Sequence, residues 1–180
     1  MKILVVNNNT RHIKPLSRAL ASHELEIVDY RPGVKFNHQD KDLIILSGGG
    51  GEGREVHDRH CGGDLWYEDE LQFILDCPKP LLGICMGFEL ITHAYGSKIE
   101  TLSKGLKGFK TFRARDSSQI TQYEAHDYAV WQVSQKQFEI MAESDSGIEI
   151  VRHRRRPILA AQFHPELGGT LSIPDLTAAL

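Results

Sequence analysis

Short apolar runs alternate with helical segments in the first half of the sequence, and this alternation restricts the fold more than any other feature. The runs predict four strands, at residues 3–6, 26–29, 43–46 and 81–84. Continuous apolar runs are typical of parallel strands that are covered on both faces. Helices are predicted from Pro15 to Leu20, from Trp66 to Leu75 and from Met86 to Tyr95, the last ending at Gly96. We therefore predict an α/β fold, an open, mostly parallel sheet with helices on both faces.

The pattern changes after Lys98, where shorter segments with strand character follow one another through tight turns. These segments are Thr111–Arg113, Ala129–Val133, Phe138–Ala142, Ile148–Val151 and Ile158–Phe163. They predict a small antiparallel meander attached to the parallel sheet. Because no linker separates the two halves, we expect one domain, 1–180, with a short helix near the end, from Ile173.

Composition excludes several functional classes. The chain has 21 Lys and Arg against 24 Asp and Glu, a net charge of −3, which lacks the positive field of a nucleic-acid-binding protein. Without a long apolar run we expect no membrane span, and we expect a cytoplasmic protein. The three cysteines (Cys61, Cys77 and Cys85) match no zinc-binding spacing, so free thiols in a reducing compartment are expected, with no metal and no cofactor.

Cys85 lies where a predicted buried strand meets a predicted helix, in Gly83-Ile84-Cys85-Met86-Gly87. This position is typical of a nucleophile elbow, in which flanking glycines allow close backbone approach. The helix N-terminus favours a thiolate, and the N–H of Met86 points to where an oxyanion would form. A buried structural cysteine is the alternative. The flanking glycines favour the nucleophile.

A thiolate nucleophile requires a base, and His164 is the best placed of the nine histidines. It follows an apolar strand at the expected carboxyl edge of the sheet, and Glu166 follows two residues later across Pro165. A carboxylate there can orient the imidazole and stabilise its protonated form. An incidental pair on a surface loop is the alternative. His93 is a poorer base because it lies far along the same helix as Cys85.

A glycine-rich run follows the strand that ends at Leu46. Gly48, Gly50 and Gly53 match the G-x-G-x-x-G spacing of dinucleotide-binding loops, but no apolar helix follows them, so we discount that function. An oxyanion-hole turn near Cys85 is a second interpretation, and a flexible surface loop is a third. The polar residues 57–61 include side chains able to bind metal, although a solvated loop is favoured.

Three motifs together resemble the class I (triad) glutamine amidotransferase family. They are Ser47-Gly48-Gly49, Gly83-Ile84-Cys85-Met86-Gly87 and Phe163-His164-Pro165-Glu166, in the family's order and with similar separations. The resemblance spans most of the chain and implies a flavodoxin-like sheet. The opening Val5-Val6-Asn7-Asn8 is most similar to the free-standing glutaminase subunit of archaeal-type GMP synthase.

The resemblance implies a Cys-His-Glu triad of Cys85, His164 and Glu166 that hydrolyses L-glutamine through a γ-glutamyl thioester. It places an oxyanion hole at the backbone N–H groups of Gly49 and Met86. It also places glutamine contacts near Asp127 and Tyr128, in a segment similar to the family's substrate loop. Ammonia would pass to a separate synthetase.

Glu89 departs from the family, which commonly has Gln at this position. A carboxylate cannot donate an amide hydrogen bond, but it could pair with the substrate ammonium. Its negative charge would also oppose a Cys85 thiolate. Gly50 stands where proline often follows the paired glycines, which predicts a looser turn.

The leading functional hypothesis is therefore a glutaminase subunit that supplies ammonia to a separate synthetase. A second hypothesis keeps the triad but assigns it to another γ-glutamyl compound, because of Glu89 and the unusual loop after Gly49. A third is a non-catalytic binding subunit, and the presence of all three triad residues argues against it.

Overall fold

The computed structural model describes residues 1–49 and 67–180. The strands in these ranges are β1 (Lys2–Asn8), β2 (Glu24–Asp29), β3 (Leu43–Gly49), β4 (Leu81–Ile84), β5 (Ile99–Ala114), β6 (Gln119–Val130), β7 (Phe138–Ser144), β8 (Gly147–His153) and β9 (Ile158–Ala161). The helices are α1 (Ile13–Ala19), α2 (Glu68–Asp76), α3 (Met86–Ala94) and α4 (Ile173–Ala178), with a 3-10 turn at Pro165–Leu167.

All nine of these strands form one sheet, in the order β2-β1-β3-β4-β9-β8-β7-β5-β6. The first five are parallel to one another, and β9 also pairs antiparallel with β8. The parallel strands, taken in chain order, follow the flavodoxin-like order. The prediction of an α/β fold with a parallel sheet and an antiparallel extension is confirmed, and β9 is the strand that joins the two parts.

Helices cover both faces of the parallel strands. Leu4 and Val6 of β1 belong to a core on one face, which includes residues of α2 and α3. Ile3 and Val5 belong to the core on the opposite face, which includes residues of α1 and α4. Alternate side chains of one strand therefore enter two different cores, which explains why the strand is apolar throughout.

The antiparallel part differs most from the prediction. Thr111–Arg113 is only the end of β5, which begins at Ile99, and β6 ends at Val130 rather than Val133. Most residues of β5 are exposed, so its sequence shows no alternation of apolar and polar residues. The strand forms because it pairs with β6 along most of its length.

The helix boundaries are closer to the prediction. Helix α1 begins at Ile13, before Pro15, and α3 covers the predicted segment with its end one residue earlier, at Ala94. Helix α2 begins at Glu68, whereas the predicted start at Trp66 lies outside the described residues. No helix within residues 1–49 and 67–180 has both the length and the apolar character needed to cross a bilayer.

Candidate functional site

Three of the parallel strands deliver the predicted site residues to the same edge of the sheet. Strand β3 ends at Gly49, β4 is followed at once by Cys85, and β9 is followed shortly by His164. A cavity of about 450 Å³ opens there. Its lining residues are Arg11, His12, Gly49, Cys85, Met86, Glu89, Gly105, Leu106, Lys107, Tyr123, Ala125, His126, Asp127 and His164. The carboxyl edge of an open α/β sheet is where such sites are expected.

Cys85 occupies a strained turn between β4 and α3. Its φ of 51° and ψ of −105° are unusual for a residue with a side chain, at a cost of about 1–3 kcal/mol. Its N–H donates to the carbonyl of Ala161 at 2.8 Å, which fixes the turn to β9. The side chain is 5% exposed and lines the cavity at the N-terminus of α3. The predicted nucleophile elbow is therefore present as a geometry.

The two glycines beside the elbow are required by close packing. A Cβ on Gly87 would overlap the carbonyl oxygen of Leu46 in β3, and one on Gly83 would lie 2.7 Å from the backbone of Gly87. Real Cβ atoms essentially never approach other atoms so closely. The predicted close backbone approach is confirmed, and it holds α3 directly against the sheet.

His164 and Glu166 form a buried pair beside the elbow. His164 Nδ1 and Glu166 Oε1 lie 2.8 Å apart, and both side chains are almost fully buried. The imidazole also lies beside Cys85, since a Cβ on Gly48 would be 3.0 Å from His164 Cε1 and 3.5 Å from the Cβ of Cys85. Burial alone lowers the pKa of His164, but the negative charge of Cys85 and the contact with Glu166 raise it well above its ordinary value. The arrangement therefore places a histidine that a buried carboxylate orients beside Cys85.

Gly49 and Met86 lie together at the cavity wall. A Cβ on Gly49 would overlap the sulfur of Met86, so the two residues are in direct contact. The end of β3 before Gly49 is fixed by Ser47, whose hydroxyl donates to the Gly48 carbonyl at 2.8 Å and accepts from the N–H of Asn8 at 2.9 Å. The predicted oxyanion hole at Gly49 and Met86 is compatible with this position and stays a prediction.

The residues predicted to contact glutamine do not all reach the cavity. Glu89 is 1% exposed, lines the cavity and accepts a hydrogen bond from Gln162 Nε2 at 3.0 Å. Asp127 also lines the cavity, where its carboxylate lies over Gly105. Tyr128 is buried and is not among the lining residues. Its backbone carbonyl instead accepts from His126 Nδ1 at 2.6 Å.

Sequence reasoning missed four polar residues of the cavity wall: Arg11, His12, Lys107 and His126. The ring of His12 meets that of His164 edge-on, with centroids 4.9 Å apart. Burial, followed by the positive charge of His164, lowers the pKa of His12. Arg11 and His12 follow the carboxyl end of β1, so the rule that located His164 could have found them too.

The remaining candidates lie away from the cavity or outside the described residues. His93 Nδ1 contacts the carbonyl of Ser97 at 3.1 Å, and Cys77 is a buried free thiol whose pKa is raised by that burial.

Other candidates belong to the part of the chain that is not described, namely Gly50, Gly51, Gly53 and residues 57–61, which include Cys61. Across the described part, no three His, Cys, Asp or Glu side chains gather in a metal-binding arrangement.

Comparison with known proteins identifies the family of this chain. The family model for class-I glutamine amidotransferases matches residues 4–178. A protein of Methanococcus maripaludis, named as a glutamine-hydrolyzing GMP synthase subunit, is 26% identical over 93% of this chain and 89% of its own length. A protein of Methanosarcina barkeri with the same name is 28% identical over 94% of this chain and 89% of its own length.

Solved structures give the same result for the fold. A structure described as a GMP synthase subunit of Thermoplasma acidophilum superposes with a TM-score of 0.77 and 25% identity, covering 93% of this chain and 85% of that one. A glutamine amidotransferase of Thermotoga maritima, at 16% identity, gives a TM-score of 0.69 over 92% of this chain and 76% of that one, which is evidence of the fold alone.

Proposed function

Because the chain belongs to the class I glutamine amidotransferase family, we propose that it hydrolyses the side-chain amide of L-glutamine and delivers the ammonia to a separate synthetase. The observation that carries this proposal is that Cys85 and His164 lie side by side in one cavity wall, with Glu166 2.8 Å from Nδ1 of His164. A nucleophile, a base and an orienting carboxylate within hydrogen-bond reach are what covalent amide hydrolysis requires.

The proposed reaction has two steps. The Cys85 sulfur attacks the amide carbon of glutamine, and the proton held by His164 passes to the departing nitrogen, so that ammonia leaves and a γ-glutamyl thioester remains. Water then attacks the thioester, His164 takes a proton from that water, and the C–S bond breaks to release glutamate. Backbone N–H groups of Gly49 and Met86 would stabilise the oxyanion in both steps.

Substrate binding is proposed for the acidic side of the cavity. Glu89 and Asp127 both line it and carry carboxylates that can accept from the α-ammonium of glutamine. Tyr128 would contribute only through its backbone, since its side chain is buried. No cofactor is needed for this chemistry.

The synthetase partner is proposed from the relatives, which are named as glutamine-hydrolyzing subunits of GMP synthase. A chain of this kind would supply ammonia to a second chain that carries the acceptor site. Action in the cytoplasm is part of the same proposal, and it is supported by Cys77 and Cys85, which are both free thiols.

The test is to incubate the purified protein with glutamine, alone and with cell extract, and to follow glutamate and ammonia. We expect both products from the wild type and a γ-glutamyl adduct on Cys85 by mass spectrometry after rapid acid quenching. Activity that appears only with extract would identify a glutaminase that its partner activates. Absence of glutamate under both conditions would contradict the proposal.

A second candidate activity is hydrolysis of another γ-glutamyl compound, and the buried carboxylate of Glu89 at the cavity wall is the observation that favours it. The same assay distinguishes the two activities when γ-glutamyl amides and γ-glutamyl peptides are supplied beside glutamine. A kcat/KM higher for one of these than for glutamine would favour the second activity.

Replacing Glu89 by Gln tests its role in glutamine binding. We expect the KM for glutamine to rise about tenfold, because a hydrogen bond to a charged group contributes roughly 1.5–3 kcal/mol. Initial rates over a range of glutamine concentrations measure it. Glu100→Gln, which removes an exposed carboxylate paired with Lys98, is the matched control. An unchanged KM would remove Glu89 from the substrate site.

A further inference from the structure

A second histidine–carboxylate pair lies in the wall of the same cavity. His126 on β6 donates from Nδ1 to the carbonyl of Tyr128, and its Nε2 contacts Glu124 in a short hydrogen bond. Both side chains are at least 98% buried. Since a carbonyl can only accept, Nδ1 carries a proton, and a carboxylate on the other side favours a proton on Nε2 as well. This geometry favours an imidazolium.

Glu124 is in turn held by another buried carboxyl group, that of Glu149 on β8. The two carboxyl groups interact, and, among the described residues, no donor group reaches Glu124 Oε1 or Glu149 Oε2. One shared proton satisfies both oxygens. Ser144 donates to the remaining oxygen of Glu149 at 2.6 Å.

The charge states follow from these contacts. Burial and the adjacent charge of Glu124 raise the pKa of Glu149 well above its ordinary value, so Glu149 is the carboxyl group that holds the proton. Burial alone lowers the pKa of His126, but Glu124, Cys85 and Glu89 together raise it to about 9. His126 therefore carries a positive charge at neutral pH.

His126 lines the same cavity as the proposed nucleophile. The Cys85 sulfur is 4.0 Å from the carbonyl oxygen of Ala125, the residue between Glu124 and His126. Glu89 of α3 is a buried carboxyl group in the wall of the same cavity. The titratable and charged groups that share the cavity with the sulfur are Arg11, His12, Glu89, Lys107, His126, Asp127 and His164.

We propose that His126, held protonated by Glu124, is a positioning residue that stabilises the Cys85 thiolate and offsets the negative charge of Glu89. Its two nitrogens are both engaged by the protein, so it acts as a fixed charge and not as a proton carrier. The proposal rests on the assignment of Cys85 as the nucleophile. It assigns to β6 an electrostatic role in addition to forming the cavity wall.

The test is the rate at which iodoacetamide alkylates Cys85, measured from pH 4 to 10 with the labelled peptide identified by mass spectrometry. In Glu124→Gln and in His126→Gln we expect the midpoint of the pH–rate profile to move upward by about one unit, since a nearby opposite charge favours an ionised group by roughly 1–3 units. At pH values below the midpoint this is a loss of about tenfold in rate. Glu89→Gln should move the midpoint downward.

Glu149→Gln is the matched control. Its amide donates to Glu124 as the protonated carboxyl does, so we expect the wild-type profile and an intact fold by circular dichroism. A profile unchanged in Glu124→Gln and His126→Gln would overturn the proposal. If these variants fold poorly, imidazole ¹⁵N shifts of the wild-type protein decide the question, because a neutral His126 at pH 7 would overturn it too.

These outcomes are separable from failure of the proposed function. If the wild type hydrolyses no glutamine, the activity is wrong, whereas the alkylation profiles still report whether His126 stabilises the thiolate. If glutamine is hydrolysed and the profiles do not move, only the role of His126 is wrong.

Discussion

Cys85→Ala is expected to lose glutamine hydrolysis by about 10⁴-fold or more, because a triad that loses its nucleophile retains only what binding and an oxyanion hole contribute. Glutamate release under saturating glutamine measures the loss. The variant should keep the fold, since Cys85 is held by its backbone N–H and not by its side chain alone.

Cys77→Ala provides the control for Cys85→Ala. Cys77 is also a buried free thiol, but it is not among the residues that line the cavity, so its loss should leave turnover near that of the wild type. Turnover that survives in Cys85→Ala would eliminate the thioester mechanism. Loss of turnover in both variants would mean that general destabilisation, and not chemistry, is being measured.

Gly87→Ala is expected to destabilise the protein by about 3 kcal/mol or more, through overpacking of backbone against backbone. The added methyl would overlap the Leu46 carbonyl, and neither β3 nor α3 can move away without disturbing the buried core. For a domain of this size the unfolding midpoint should fall by roughly 6–12 °C. Thermal unfolding followed by circular dichroism measures this shift.

Gly96→Ala is the comparison for Gly87→Ala. Gly96 has a φ of +89°, so alanine is strained there, yet a Cβ would meet no atom within 4 Å. We expect a loss of about 1 kcal/mol, from backbone strain alone. If Gly87→Ala costs no more than Gly96→Ala, the close approach of α3 to β3 is more adaptable than the structure indicates.

The parallel half of the fold could be predicted because each of its strands carries its own signal. Strands such as β1 and β4 are buried on both faces, so each appears in the sequence as an apolar run. The same apolar residues place these strands in the middle layer of the fold. Strand β5 could not be predicted in full because most of its residues face solvent and its conformation depends on β6.

The candidate site also contains some residues that local motifs indicate and others whose role depends on distant strands. Cys85, His164 and Glu166 could be proposed from the sequence because their motifs combine chemistry with a local backbone requirement, such as the glycines at 83 and 87. His126 was missed because its charge depends on Glu124 and on Glu149, which a separate strand supplies. Such partnerships exist only once the sheet has formed.

The hydrogen bond from Cys85 to Ala161 restricts how a partner could switch this site on or off. It lies between β4 and β9, which are neighbours in the middle of the sheet, so pulling Cys85 away from His164 would require breaking the core. Leu106 and Lys107, which also line the cavity, lie on the mostly exposed strand β5 and pair there with β6, so they can move without disturbing the central strands. A partner that docks and alters this site would therefore change the entrance for the substrate. The distance between the Cys85 sulfur and the His164 imidazole would stay constant.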